Sequence, residues 1–244
     1  MKFTKTYYVS SHDFAHNDRI RPSAVLRYMQ ETANSQLFAE KPSYADLLAM
    51  GYAFVVSRLH LKIYEDFHAY ETITAETWAL PESGASFDRC YRLLRGDTVL
   101  AEAYSVWALL NRKHNTLCRA GELPLHYSTD KPLDIPARVK LPKTPLQEVG
   151  KRDIRYSDID CNGHMNNTNY PDMFCDFLPE IDALDITELY IHYVSEARLG
   201  ETLTVLHGKE QCIDSVQHVF ETTKNDGSCN IRALLITSPS LRSV

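Results

Sequence analysis

A short polar segment carries the side chains that could do chemistry. The residues at every second position are Asp158, Asp160, Asn162 and His164. Carboxylates and an imidazole can take up or release a proton, and an amide can donate a hydrogen bond to a substrate oxygen. Because alternate side chains of an extended loop point to one side, we expect Asp160, Asn162 and His164 to converge. A turn built by Asp, Asn and Gly for backbone reasons alone is the alternative.

The polar segment leads straight into a predicted helix over 167–178. Its apolar residues recur at helical spacing: Tyr170, Met173, Phe174, Phe177 and Leu178. Asn167 suits an N-cap, and Pro179 should end the helix. The first N–H groups of a helix are unpaired and carry partial positive charge, so this end could polarise a carbonyl oxygen.

Two further residues are candidates for catalysis. Glu196 ends an alternating stretch at 186–196 and is a second carboxylate, although a glutamate on a strand is mostly just solvated. Cys161 lies three residues before His164, which raises a Cys/His nucleophile. Cys161 is an odd number of positions from His164, so in an extended loop its side chain should point away from Asp160, Asn162 and His164. The His and Cys spacing of a zinc site is absent, and we expect no metal.

Composition narrows the class of protein. The chain has 244 residues, 44% of them hydrophobic, and a net charge of -6. An acidic chain gives no electrostatic reason to expect nucleic acid as a partner. Apolar runs are too short to cross a membrane. Six cysteines are scattered without a Cys-x-x-Cys pair, which indicates a reduced, cytoplasmic protein.

The pattern of elements repeats along the chain. Each half reads as a strand, a loop, a helix and four strands. In the first half the helix is predicted over 22–38, with an apolar stripe that includes Leu26, Met29, Ala33 and Leu37. Pro-punctuated residues 121–148 read as a connector between a domain at 1–120 and a domain at 149–244. In the first half Ala15 and Arg19 stand where the second has Asp160 and His164, so only the second half carries the reactive set.

A helix wrapped by an antiparallel sheet is the hotdog arrangement. Two tandem copies in one chain predict a double hotdog of the α+β class, with the two sheets joined edge to edge.

The chain resembles the acyl-acyl carrier protein (acyl-ACP) thioesterases of bacteria and plants. The resemblance rests on residues 158–167, which read Asp-Ile-Asp-Cys-Asn-Gly-His-Met-Asn-Asn and are followed by Tyr170. Tyr-Val-Ser-Glu at 193–196 is similar to the strand that supplies the family's second carboxylate. Ser-Arg-Leu at 57–59 and Thr-Trp at 77–78 are supporting landmarks. The chain opens without a plastid transit peptide, so we expect the bacterial type.

The resemblance implies a catalytic set of Asp160, Asn162, His164 and Glu196. The implied reaction is hydrolysis of a fatty acyl-ACP thioester by carboxylate-activated water, with no metal or organic cofactor. Asp160 or Glu196 would be the general base, and the sequence leaves that choice open. Helix N–H groups, helped by Asn162 or His164, would hold the oxyanion. Plant members often have a Cys after the Glu. In this chain that position is Ala197, which argues against a cysteine mechanism.

Partners and rival functions follow from the same resemblance. The carrier is acidic, and residues 138–155 could dock it, the alternative being a solvated connector. Against the acids Glu148 and Asp153, this stretch has the basic residues Arg138, Lys140, Lys143, Lys151, Arg152 and Arg155. Leu26 and Met29 are expected to line the acyl pocket, the alternative being ordinary core. An acyl-CoA thioesterase and a non-enzymatic acyl-binding hotdog are the rival functions. Chain-length preference is not determined, and a homodimer is an open alternative to a monomer.

Overall fold

The computed structural model describes residues 2–123 and 125–240. The chain divides into two compact units. The first consists of Met1–Ser11 and Leu26–Arg138, and the second of His12–Val25 and Val139–Val244. None of the helices in the described part of the chain is long and apolar enough to cross a membrane.

The first unit contains a sheet in which all named strand pairs are antiparallel. Its strand order is β1-β3-β4-β5-β2, and the short β6 pairs with β5. The elements are β1 (Phe3–Tyr8), α1 (Pro22–Glu40, which enters this unit at Leu26), α2 (Tyr44–Ala49), β2 (Tyr52–Ile63), β3 (Thr72–Ala79), β4 (Phe87–Arg95), β5 (Thr98–Asn111) and β6 (Thr116–Leu117).

The second unit repeats this plan with a shorter helix. Its antiparallel strand order is β8-β11-β10-β9-β7. The elements are β7 (Gln147–Asp153), α3 (Tyr170–Cys175), β8 (Leu184–Tyr193), β9 (Thr202–Gln211), β10 (Val216–Thr223) and β11 (Cys229–Pro239).

Helix α1 buries the apolar stripe that the sequence predicts. Leu26, Met29, Ala33 and Leu37 are all at most 8% exposed. Polar contacts hold the same helix to the sheet, for example Tyr7 Oη to Thr32 Oγ1 at 3.0 Å. Helix formation at this position therefore depends on burying one face, as in most globular proteins.

The second helix is shorter than predicted. Residues 167–169 form a 3-10 turn, and α-helix runs only over Tyr170–Cys175 instead of reaching 178. The last turn tightens because Phe177 N–H donates to Phe174 O and Leu178 N–H to Cys175 O, i→i+3 bonds that precede Pro179. The helix is still anchored: the Phe174 ring stacks on Phe220 of β10 at 4.7 Å.

The connector has two structural parts. Up to Arg138 it belongs to the first unit, where the Trp78 indole donates to Lys131 O and His60 Nδ1 lies 2.9 Å from Pro136 O. From Val139 it belongs to the second unit, and Val139, Leu141 and Leu146 pack on a core cluster of its sheet.

The predicted architecture is confirmed: the protein is an α+β double hotdog, two tandem antiparallel sheets each with a helix. The functional division into a pocket domain and a catalytic domain stays a prediction.

Candidate active site

The polar segment folds as a tight turn, not as the extended loop that the alternation suggested. Gly163 N–H donates to Asp160 O at 3.0 Å, and Asp160 N–H donates to His164 O at 3.0 Å. Gly163 has a φ of 83°, a left-handed conformation that glycine adopts without strain. Asp160 and His164 therefore come together because the chain reverses between them. Their even spacing along an extended loop is not the cause.

The turn is fixed to the chain that follows β8. Met165 N–H donates to Ala197 O at 2.8 Å, and His164 forms an isolated antiparallel bridge with Arg198. This pairing brings His164 beside Glu196, which lies 32 positions later in the chain. The sequence could propose Glu196, but only the pairing of these two segments places it at the turn.

His164 lies between the two carboxylates. Its Nδ1 is 3.9 Å from Asp160 Oδ1, and its Nε2 is 4.0 Å from Glu196 Oε1. Neither distance is a hydrogen bond. Nδ1 also lies 3.3 Å from the Met165 carbonyl, so both of its neighbours are acceptors and the proton belongs on Nδ1. In the tautomer that carries its proton on Nδ1, Nε2 faces Glu196 with its lone pair.

Asp160 is held by its neighbour in the turn. Asn162 donates its backbone N–H to Asp160 Oδ1 at 2.8 Å and its side-chain amide to Oδ2 at 3.4 Å. The Asp160 side chain is 15% exposed and that of His164 17%. All three members of the predicted alternating set thus lie together, with both Asp160 oxygens engaged.

Glu196 is the more accessible carboxylate. Its side chain is 50% exposed, and its Oε2 lies 3.7 Å from the Arg198 guanidinium. Arg198 is 72% exposed, so this ion pair is solvated and contributes little to stability. Half of the Glu196 side chain is therefore in contact with solvent.

Asp158, the remaining residue of the four at alternate positions, is buried and structural. Its carboxylate accepts hydrogen bonds from Arg152 Nη2 at 2.8 Å and from Arg155 N–H at 2.9 Å. Its backbone carbonyl accepts from Asn166 N–H. Asp158 therefore anchors the start of the turn and does not join the reactive group.

The start of the helix is capped by a different residue from the predicted one, and a role of its amides at an oxyanion stays a prediction. Asn166, not Asn167, is the cap: its side chain accepts from Thr168 N–H, and its carbonyl accepts from Asn169 N–H. Because α3 has six residues, its dipole is small.

The remaining candidates lie as follows. Cys161 is exposed at the tip of the turn. Cys175, in α3, is partly buried, and desolvation raises its thiol pKa to about 12, so it is inert. Leu26 and Met29 are buried in α1, and their role in an acyl pocket stays a prediction. Within residues 2–123 and 125–240, His, Cys, Asp and Glu do not form a group of three that could hold a metal.

Sequence reasoning missed two residues beside the site. Arg198 pairs with Glu196, and Asn230 of β11 is fully buried against the segment that carries Glu196. No local pattern marked Asn230, because β11 also contains Arg232, Thr237 and Ser238.

Comparison with known proteins matches both halves of the chain. The model of the acyl-ACP thioesterase N-terminal domain matches residues 1–122, and that of the C-terminal domain matches residues 145–236. A chloroplastic acyl-[acyl-carrier-protein] hydrolase, FATB2, of Cuphea viscosissima is 21% identical over 93% of this chain. The chain spans 57% of that relative's length.

Two solved structures share the fold along nearly the whole chain. An acyl-ACP thioesterase from Bacteroides thetaiotaomicron has a TM-score of 0.85 and 24% identity, covering 97% of this chain and 98% of its own. A 12:0-ACP thioesterase from Umbellularia californica has a TM-score of 0.80 and 17% identity, covering 98% and 94%. With both halves matched by the paired domain models, the chain belongs to the acyl-ACP thioesterase family.

Proposed function

We propose that this protein hydrolyses fatty acyl-ACP thioesters to free fatty acid and the carrier thiol. The observation that carries the proposal is the position of His164 between the carboxylates of Asp160 and Glu196, 3.9 and 4.0 Å away. The family to which the chain belongs supports the substrate class. The Cuphea relative is named as a hydrolase of acyl-[acyl-carrier-protein], in agreement with this assignment.

We assign the general base to Glu196. Both Asp160 oxygens already accept hydrogen bonds from Asn162, whereas Glu196 is half exposed and has only longer contacts. Two polar atoms about 4 Å apart can share one water molecule. A water between Glu196 Oε1 and His164 Nε2 would be oriented by the ring and would lose its proton to the carboxylate.

The rest of the reaction balances with the same groups. The hydroxide forms a bond to the thioester carbonyl carbon, and the carbonyl electron pair moves to oxygen. We assign this oxyanion to the Asn162 amide, the side-chain donor that the turn holds next to Asp160. Collapse of the intermediate breaks the carbon–sulfur bond, and the proton held by Glu196 passes to the leaving thiolate. Asp160 orients the His164 ring through its Nδ1–H side.

The carrier would dock on the basic strip, the six residues Arg138, Lys140, Lys143, Lys151, Arg152 and Arg155. All but Arg152 are exposed. Arg152 is bound to Asp158, and Arg155 lies 3.9 Å from the Asp153 carboxylate, so these two contribute less to an outward field. Five exposed cations suit an acidic protein partner on a chain whose net charge is -6.

The deciding experiment measures thiol release from acyl-ACP of several chain lengths. Asp160→Asn and Glu196→Gln keep side-chain size and remove the charge, and His164→Ala removes the ring. We expect each variant to lower turnover by about two orders of magnitude or more, the usual range for groups that move a proton. Circular dichroism establishes that each variant is folded.

Cys161→Ala is the matched control within the same turn. We expect it to keep most of the activity, because a water mechanism needs no thiol. An active Asp160→Asn beside an inactive Cys161→Ala would overturn the carboxylate mechanism and favour a thiol nucleophile. Acyl-CoA assayed in parallel tests the rival carrier, and folded protein that binds acyl chains without releasing thiol would identify a non-enzymatic acyl-binding protein.

Four further assignments complete the proposal. Each of the six cysteines is free, in keeping with the reducing cytoplasm. The bacterial type is supported by the Bacteroides thetaiotaomicron structure, which is 24% identical to this chain against 17% for the Umbellularia californica structure. A homodimer stays a prediction that sedimentation velocity would check. A role in fatty acid biosynthesis follows if acyl-ACP is the substrate.

A further inference from the structure

The chain leaves β8 through a bulge directly before Glu196. The backbone N–H groups of Val194 and Ser195 both donate to the Asn230 carbonyl, at 2.9 and 3.0 Å. Two residues thus oppose one residue of β11, which is the signature of a β-bulge. Bulges redirect the side chains that follow them, and Glu196 is the next residue.

The Asn230 side chain holds the same segment a second time. Asn230 is 0% exposed, and its Oδ1 accepts a hydrogen bond from Thr222 Oγ1 at 2.9 Å. That bond orients the amide so that Nδ2 donates to Ser195 O. The Ser195 carbonyl belongs to the peptide group whose nitrogen is that of Glu196. The bond therefore fixes the peptide plane from which Glu196 extends.

Glu196 is restrained on its other side by the catalytic turn. The carbonyl of Ala197 accepts from Met165 N–H at 2.8 Å. Glu196 thus lies between one anchor in the sheet and one in the turn that carries His164.

We propose that Asn230 is a positioning residue that holds the Ser195–Glu196 peptide so that the Glu196 carboxylate faces His164. Asn230 does not touch the substrate, and its effect acts through Glu196. The inference rests on the proposed function for the role of Glu196 as a base. The restraint of residues 194–197 by Asn230 does not depend on that function and can be measured separately.

The first measurement is a double-mutant cycle on acyl-ACP hydrolysis. Asn230→Ala removes the amide, and Asn230→Asp keeps its shape but replaces the donor with an acceptor. We expect either variant to lower kcat about ten- to hundredfold with KM nearly unchanged, since misplacing a reacting group by about 1 Å can cost this much. In the Glu196→Gln background the same change should lower kcat no further, because the carboxylate on which it acts is gone.

Thr222→Val and Thr237→Ala complete the set. Thr222→Val removes only the bond that orients the Asn230 amide, so it should give a smaller loss of kcat in the same direction. Thr237 lies on the same strand, is 0% exposed and is hydrogen-bonded to His218. Thr237→Ala therefore also removes a buried hydrogen bond, but one away from Glu196. We expect it to leave kcat unchanged.

The second measurement is amide hydrogen exchange, which needs no activity. Asn230→Ala should accelerate exchange at residues 194–197 relative to wild type, and Thr237→Ala should not. Accelerated exchange in a protein that releases no thiol would refute the proposed function and keep the positioning role. Unchanged exchange at 194–197 would overturn the positioning role. The positioning role would also be overturned if Asn230→Ala lowered kcat in the Glu196→Gln background by the same factor as in wild type.

Discussion

Acid should destabilise the second unit through a buried histidine pair. His218 of β10 is 1% exposed; its Nδ1 lies 3.1 Å from His207 Nε2 and its Nε2 lies 3.1 Å from Thr237 Oγ1. Burial, and then the neighbouring His207, lower the His218 pKa from 6.5 to about 4. Burial also lowers the His207 pKa. The nearby charges of Glu180 and Lys209 face each other in an ion pair of 3.3 Å.

The sign of the effect follows from proton binding. Between pH 6.5 and about pH 4, His218 is protonated in the unfolded chain but not in the folded protein. The free energy of unfolding therefore falls as the pH drops. The two pKa values correspond to a loss of about 2 kcal/mol at pH 5 and about 3 kcal/mol once the pH is below both. His207 adds to the loss in the same direction.

Urea unfolding at pH 7 and pH 5 measures this loss directly. Wild type should lose about 2 kcal/mol more between the two values than His218→Gln, whose amide can still hydrogen-bond but does not titrate. His114→Gln, at an exposed position after β5, is the control for removing one imidazole. Equal losses in wild type and His218→Gln would refute the reasoning. The result also separates acid unfolding from protonation of the catalytic base in a pH–activity profile.

Three further outcomes are expected. Met29→Trp should shift hydrolysis toward shorter acyl chains if α1 lines the pocket, and an unchanged chain-length profile in the folded variant would remove that role. Salt should raise KM for acyl-ACP more than for a short thioester of a neutral thiol if the basic strip docks the carrier; equal responses would count against docking. Gly208→Ala should destabilise the fold by about 1–3 kcal/mol in thermal or urea unfolding, because its Cβ would lie 2.5 Å from the backbone oxygen of Pro145; an unchanged midpoint would contradict this contact.

Local patterns in the sequence determined the architecture. The stripe of Leu26, Met29, Ala33 and Leu37 predicted α1 because a helix on a sheet must bury one face, and all four residues are buried. Repetition of strand, loop, helix and four strands predicted the double hotdog. The density of Asp, Asn and His at 158–167 identified the reactive segment, because these side chains are adjacent in the chain and need no folding to be recognised.

Tertiary structure decided how the reactive segment is used. The alternating spacing in the sequence does not distinguish Asp158 from Asp160 and His164. The fold buries Asp158 against Arg152, and the hydrogen bonds of the 160–163 turn bring Asp160 toward His164. The apolar spacing predicted a helix to 178, yet the chain tightens after Cys175 before Pro179. Glu196 joins His164 only through strand pairing across 32 positions of sequence, with Asn230 farther still. Such contacts are fixed by sheet register and buried hydrogen bonds, and neither leaves a local pattern in the sequence.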